Sequence, residues 1–405
     1  MKKKILFVIN TLGTAGAEKA LLELLDRIDT SKYEVSLFVL MNQGELRLEI
    51  PKSVHFLNDR FVDLPIHTEQ GLRALSKHVL RSLFKAGTVI KCMPYLVRNS
   101  ISMIAKGKLY KDKLLWRAMA MAAPKFDTEF DLAVSYIEGG SAYYVRDYVN
   151  AKKKVSFIHI DYKNAGYTRK LDRDCYLDFD RIYPVSDEVK DTFLLVYPEL
   201  KERTFVFHNI LNIEKIKRMS LLEGGFPEKK QNETIILSIG RLNVQKSFET
   251  SIDAMKILKE RGIAAKWFIL GEGDQRKFLE ERIKKLELQD NFFLPGNQSN
   301  PYTFLRQCDI YVHASKFEGK SIAIQEAQAL SKPIIVSDCN GNREQVSDGI
   351  DGLICDLSAE SIADSIEKLI ANNELADELG RRAFEKIGKL TRSDDMLKDL
   401  LGVIE

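Results

Sequence analysis

Short runs of β-branched and other apolar residues alternate with longer helical patterns along most of this chain. In the first half they are Ile5–Ile9, Val35–Leu40, Val54–Leu57, Leu132–Tyr136, Val155–Ile160, Ile182–Val185 and Phe205–Phe207. In the second they are Ile235–Ile239, Trp267–Leu270, Phe292–Leu294, Ile310–Val312, Ile334–Val336 and Leu353–Ile354. Continuous apolar runs of this length suit parallel strands covered on both faces by crossover helices. Two such series in succession predict an α/β chain of two doubly wound, Rossmann-like domains. A length of 405 residues agrees, being more than one hydrophobic core usually fills.

The charged, turn-rich stretch LLEGGFPEKKQNET, near Asn212–Glu233, reads as an exposed linker. It divides the chain into an N-terminal domain, 1–212, and a C-terminal domain, 213–385. A final helical segment, 386–405, is free by sequence to pack back on the first domain. The opening MKKKILFVINTLG has the lysines of a secretory signal, but its apolar run is too short and polar Asn10 and Thr11 follow it. It reads as a first strand. No segment reaches the ~20 apolar residues needed to cross a bilayer. The five cysteines are scattered with no zinc spacing, as expected of unpaired thiols in a reducing cytoplasm. A formal net charge of +3 gives no reason to expect a nucleic-acid partner.

The charge is uneven, however. Residues 73–125 hold twelve basic side chains against one acid, Asp112, with Leu, Ile, Met, Phe and Trp116 interleaved. A solvated helix face is one reading. The scarcity of acids over so long a stretch favours the other, a basic amphipathic insertion lying on a membrane surface.

FEGKSIAIQE, Phe317 to Glu326, carries the chemistry. Its Gly319-Lys320-Ser321 resembles the end of a P-loop, but the first glycine of that motif is replaced by Ala314, and Glu318 would repel the phosphates a P-loop cradles. The alternative is a pair of ligating acids. Glu326 is the sole charged residue within Ser321–Ser331, and a carboxylate there needs hydrogen-bond donors such as a ribose diol. Glu318 lies at the carboxyl end of a strand, where doubly wound sheets bind ligands. Gly319 permits close backbone approach, and the following helix offers free N–H groups to an anion. Arg241 and Lys246, in SIGRLNVQKS after the strand Ile235–Ile239, suit a diphosphate. Gly271 and Gly273 in LGEGD, and Gly296 in LPGNQ, stand at two further strand ends.

Together these elements resemble the donor-binding domain of retaining GT-B glycosyltransferases of family 4, matching G-R-L-x-x-x-K, G-x-G, E-G-x7-type and P-x-I-x-S-D in order from Ser238 to about Asp356. The first half is similar too. Ala15-Gly16-Ala17-Glu18 stands where that family has G-G-A-E, and FIHIDY, Phe157 to Tyr162, resembles its active-site histidine segment. The resemblance implies a GT-B fold, two Rossmann-like domains facing across a cleft. It implies that Glu326 binds ribose hydroxyls, Glu318 binds donor-sugar hydroxyls, and Arg241 and Lys246 neutralise the diphosphate with N–H groups of Gly319, Lys320 and Ser321. Gly16, Gly271 and Gly296 would approach the donor, and His159 would hydrogen-bond the sugar or acceptor near the reacting carbon. Glu344 matches a family glutamate to which no role is derived.

The expected activity is a sugar transferase acting with retention, moving a hexose from a nucleotide diphosphate donor (UDP by family prevalence) to a glycan or lipid-linked hydroxyl in bacterial surface polysaccharide synthesis. It would work in the cytoplasm, peripheral to the inner face of the membrane. No cofactor or metal is expected, and the pairs Asp172/Asp174 and Asp178/Asp180 read as solvated loop acids. A sugar-nucleotide epimerase and a non-catalytic partner subunit are the alternatives. A dinucleotide-dependent dehydrogenase is disfavoured because no G-x-G-x-x-G follows Ile5–Ile9.

Overall fold

The computed structural model describes residues 2–66, 68–105, 111–162, 165–226, 233–390 and 394–404. Their chain divides into two compact units. The first comprises Met1–Ile210 with Asp394–Glu405, and the second Leu211–Ser393.

The first unit is built on strands β1 (Lys3–Ile9), β2 (Tyr33–Val39), β3 (His55–Phe56), β4 (Phe130–Ser135), β5 (Ala151–Ile158) and β6 (Arg181–Pro184). The second is built on β7 (Thr234–Ile239), β8 (Ala265–Leu270), β9 (Phe292–Gly296), β10 (Ile310–His313), β11 (Ile334–Ser337) and β12 (Leu353–Cys355). All pairings between these strands are parallel. The sheet orders are β3-β2-β1-β4-β5-β6 and β12-β11-β10-β7-β8-β9. Counted from its own first strand, each sheet therefore has the order 3-2-1-4-5-6 of a doubly wound nucleotide-binding fold. The apolar runs occupy the buried strands as their composition demands: Ile5 through Ile9 are wholly inaccessible. One polar residue inside the second sheet is satisfied in place, Ser238 Oγ donating to the Val312 carbonyl at 2.7 Å and accepting the Trp267 indole N–H at 3.0 Å.

Several expectations are corrected. Phe205–Phe207 is not a strand of the sheet. Phe205 and Phe207 donate N–H groups to the Ile182 and Pro184 carbonyls, but Pro184 has no N–H with which to return a bond. Part of the expected linker is a helix, Ile213–Ser220, capped by Asn212 Oδ1 on the Lys215 N–H at 2.9 Å; residues 227–232 lie outside the described residues. The last segment is two helices, Asn373–Leu390 and Asp394–Gly402, with 391–393 between them outside the described residues. The second belongs to the first unit, where Asp399 pairs with Arg181 and accepts the Tyr183 hydroxyl at 2.9 Å.

The basic segment forms helices Glu69–Phe84, Thr88–Ala105 and Lys111–Ala122. Lys106 and Lys108 lie outside the described residues. Two of the twelve cations are withdrawn from any surface role. Arg117 is buried, paired with Asp147 at 3.0 Å and stacked on the Tyr143 ring at 4.4 Å. Lys113 is buried with its ammonium 4.8 Å from the Tyr167 ring.

Asp172 is not a solvated loop acid. It is fully buried and accepts the hydroxyls of Tyr143 at 2.6 Å, Tyr162 at 2.5 Å and Tyr197 at 3.2 Å. Burial pushes its carboxyl up to about 6, against the pull of those three donors and of Arg117. Asp174, Asp178 and Asp180 are tied to Arg169, Arg146 and Lys153.

Candidate functional site

In a sheet of this order the chain runs outward in opposite directions from strands 1 and 4, so the loops at their carboxyl ends diverge and leave a crevice. In the second unit those strands are β7 and β10. They carry both predicted cations and, in the loop and helix after β10, both predicted acids.

After β7 the loop makes a 3-10 turn, Val244–Lys246, closed by Asn243 Oδ1 on the Lys246 N–H at 3.2 Å. After β10 the chain runs through Ser315 and Glu318 to the helix Ile322–Ala329. The two loops are stitched together. Lys316 N–H donates to the Gln245 carbonyl at 2.9 Å, and the Gln245 side chain donates to the Phe317 carbonyl at 2.8 Å. Gly341, in the short helix Asn340–Arg343, supports this loop from behind: a β-carbon there would lie 2.1 Å from the Gly319 carbonyl oxygen. Gly271 plays a similar part for the other loop, since a β-carbon would lie 1.9 Å from the Gly240 oxygen. Its backbone and that of Gly296 are joined by a 3.1 Å hydrogen bond, so these two predicted donor-binding glycines fix loop packing.

At the centre Lys246 Nζ pairs with Glu318 Oε1. The same oxygen receives Ser315 Oγ at 2.5 Å and faces His313 Nε2 at 3.1 Å, while Oε2 takes no protein partner among the described residues. Burial opposes charge on Glu318, yet Lys246 and His313 together hold its carboxyl well below the usual range. His313 is lowered by burial and by Lys246, so its ring is neutral. A neutral imidazole has one donor and one acceptor nitrogen. With Nε2–H on Glu318, Nδ1 accepts the Tyr311 hydroxyl at 3.1 Å; with Nε2 accepting Lys246 at 3.2 Å, Nδ1–H donates to that hydroxyl.

Glu326 is buried within the helix, where Tyr302 donates to its Oε1 at 2.9 Å. Ser321 leaves this helix without a side-chain cap. Arg241 is exposed and makes no ion pair among the described residues. Lys246 and Glu318 are thus brought into contact, while Arg241 stands on the Lys246 loop and Glu326 on the following helix. Glu344 ends the short helix Asn340–Arg343.

The first unit has its own crevice between β1 and β4. Asn10 joins the two loops, accepting the Ser141 N–H at 2.8 Å and donating to the Glu138 carbonyl at 3.2 Å. Gly16 opens the helix Gly16–Arg27 in the β1 loop. Nearby, burial pushes the Glu18 carboxyl up to about 7, with the Thr11 bond working against it and Glu45 adding to it. His159 follows β5, its backbone N–H held by Glu138 at 3.0 Å and its ring 5.1 Å from that of Tyr136. Burial lowers its imidazole to about 4, opposed by a bond to the Tyr136 backbone. Nε2 is buried and has no hydrogen-bond partner among the described residues. His159 is therefore a neutral ring with one polar nitrogen available to a hydroxyl.

Sequence reasoning missed His313, Ser315, Tyr302, Tyr311 and Glu138. His313 offered a signal, a polar residue ending a strand at the switch point. The tyrosines offered none, because their partners are set by tertiary packing.

The family described as Glycosyl transferases group 1 matches residues 225–386, most of the second unit. Over nearly its whole length, 99% of this chain and 100% of the relative, the sequence is 26% identical to a Campylobacter jejuni protein, N-acetylgalactosamine-N,N'-diacetylbacillosaminyl-diphospho-undecaprenol 4-alpha-N-acetylgalactosaminyltransferase. The crystal structure of Anabaena HepE in complex with UDP and glucose superposes over 99% of both chains with a TM-score of 0.66 at 16% identity. The chain has the GT-B fold, and its second unit carries the glycosyltransferase group 1 domain. The chain is also 35% identical over 181 residues, 42% of its length, to an uncharacterized glycosyltransferase of Methanocaldococcus jannaschii, an alignment spanning 45% of that relative. No helix among the described residues is long and apolar enough to cross a membrane, and no group of three or more His, Cys, Asp or Glu among them is placed to hold a metal ion.

Proposed function

We propose that this glycosyltransferase belongs to family 4 and moves a sugar, with retention, from a UDP-sugar to a hydroxyl of a glycan or lipid-linked acceptor in bacterial cell-surface polysaccharide synthesis. The observation that carries the reading is the part-buried Lys246–Glu318 pair at the switch point of the second sheet. The relatives support the chemistry: one is named for an alpha linkage made on a diphospho-undecaprenol, and a structural neighbour binds UDP and glucose.

Lys246 has three N–H donors. One holds Glu318, and another is free for a diphosphate oxygen that Arg241 and the N–H groups of Gly319, Lys320 and Ser321 also approach. Glu318 Oε2 accepts a sugar hydroxyl, and Glu326 accepts the ribose diol. The bond from the anomeric carbon to the phosphate oxygen breaks with its electron pair passing to the phosphate, where fixed cations stabilise the growing charge. The acceptor oxygen attacks on the face being vacated, and its proton passes to the departing phosphate oxygen. His159 Nε2 accepts a hydroxyl of the sugar or acceptor near that carbon. The cations do the work of a metal, so transfer persists in chelator. The protein acts in the cytoplasm at the inner membrane face, with the basic segment 73–125 against the surface.

A donor-hydrolysis screen across UDP-, GDP- and ADP-sugars identifies the nucleotide. With that donor, Glu326→Ala and Lys246→Ala should each lower turnover at least tenfold, about 1.4 kcal/mol of transition-state stabilisation. Unchanged rates in folded variants would exclude this site, and loss of transfer in chelator with recovery on adding manganese would exclude the metal-free mechanism.

A further inference from the structure

The helix Thr88–Ala105 is apolar on two opposite faces, and only one of them is covered. Cys92, Tyr95 and Asn99 are buried toward the first unit, where the Tyr95 hydroxyl donates to the Leu171 carbonyl at 3.1 Å. Ile90, Met93, Val97, Ile101 and Ile104 are exposed by 78%, 45%, 49%, 63% and 64%. At 100° per residue these five fall within an arc of about 80°, a continuous aliphatic row pointing away from the covered side. A row of large aliphatic side chains this exposed is unusual for a soluble surface and marks an interaction face.

The charges beside the row say what covers it. Lys91 and Arg98 are exposed on the same helix, and Arg73, Lys77, Arg81 and Lys85 are exposed on the helix before it or just after its end. No acid occurs from residue 73 to residue 111. A second copy of this face would bring the same cations together, which opposes pairing. An anionic bilayer meets both needs at once, with acyl chains for the aliphatic row and headgroup phosphates for the flanking cations.

We propose that the Ile90–Ile104 row of this helix inserts into the interface of an anionic lipid bilayer, flanked by Lys91 and Arg98. This deepens the functional reading above by naming the face that meets the membrane. It moves the contact from the basic segment as a whole, whose last helix is packed inside the protein, to one face of its middle helix.

The test is co-sedimentation of the full chain with vesicles of phosphatidylcholine alone or with phosphatidylglycerol at ~30%, at low and high salt. Wild type is expected to partition onto the anionic vesicles, and high salt to weaken but not abolish binding because the apolar part is not screened. Ile90→Asp/Ile101→Asp should weaken partitioning at least tenfold, and Lys91→Glu/Arg98→Glu should remove the preference for anionic lipid. All substituted side chains are exposed, so the variants should keep the wild-type melting temperature. Absence of vesicle binding by wild type, or equal binding by the aspartate variant, would overturn the proposal. So would a wild-type dimer that the aspartate variant turns into a monomer, which would assign the row to a second copy. Vesicle binding is read without turnover, so a failure to find any sugar donor would count against the proposed function and leave this result standing.

Discussion

Glu318 takes its character from three neighbours that converge on one oxygen. Lys246, His313 and Ser315 all address Oε1, and burial raises the strength of each contact. A carboxyl held below its usual range contributes stability that is complete above its unfolded value of 4.5 and is lost as pH falls below it. The stability difference between wild type and Glu318→Gln should therefore be constant from pH 7 to pH 5 and shrink in more acid solution, as denaturation at each pH will show. His313 is a positioning residue in this arrangement. His313→Leu removes the link from Tyr311 to the ion pair, and kcat should fall roughly tenfold, about 1.4 kcal/mol, with little change in the donor KM. His313→Gln, whose amide still donates to Glu318, should recover part of the loss. Equal steady-state constants for wild type and the leucine variant would remove this role.

Between elements, Asp172 is the comparable centre. Its side chain gathers tyrosines from the helix Gly140–Tyr148, from the loop after β5 and from the segment before Pro198, and Arg117 of the helix Lys111–Ala122 reaches its backbone carbonyl. Asp172→Ala would leave three buried hydroxyls without their acceptor and should cost about 3 kcal/mol or more. The pH dependence has the opposite sign to that of Glu318. A carboxyl raised from 3.8 to about 6 contributes stability fully below 3.8 and loses it as pH rises through about 6. Asp172→Asn does not titrate, so relative to wild type it should gain stability between pH 4 and pH 6.5; a parallel pair of stability curves would refute the assignment. None of this was legible in the sequence, where Asp172 looked like one of four acids in a charged loop. Its three partners lie 29, 10 and 25 residues away, and no local pattern connects them.

For the whole molecule, the two units have separate cores. One is gathered about Leu6, Phe38, Tyr143 and Tyr176, and the other about Trp267, Ile252, Val312 and Ile366. The last helix, Asp394–Gly402, follows the second unit in sequence and belongs to the first in space. There Leu400 is buried, Asp399 pairs with Arg181, and Met396 Sδ accepts the His208 backbone N–H at 3.2 Å. Ending the chain at residue 393 should lower the unfolding temperature of the first unit and spare that of the second. Calorimetry resolves the two outcomes, and an unshifted first transition would show that the helix adds no stability there.

The sequence by itself determined the class of fold. Uninterrupted apolar runs are stable as strands only when both faces are covered, and parallel pairing with crossover helices provides that cover. It also placed Arg241, Lys246 and Glu318 in loops that follow strands and Glu326 in the next helix, because the apolar runs mark where each strand ends. Tertiary structure alone decided which of them touch, that His313 joins Lys246 to Glu318, that Arg117 and Lys113 turn inward, and which face of the helix Thr88–Ala105 stays uncovered. Those outcomes depend on contacts between residues far apart in the chain, and helical or strand periodicity carries no information about what lies across from a side chain.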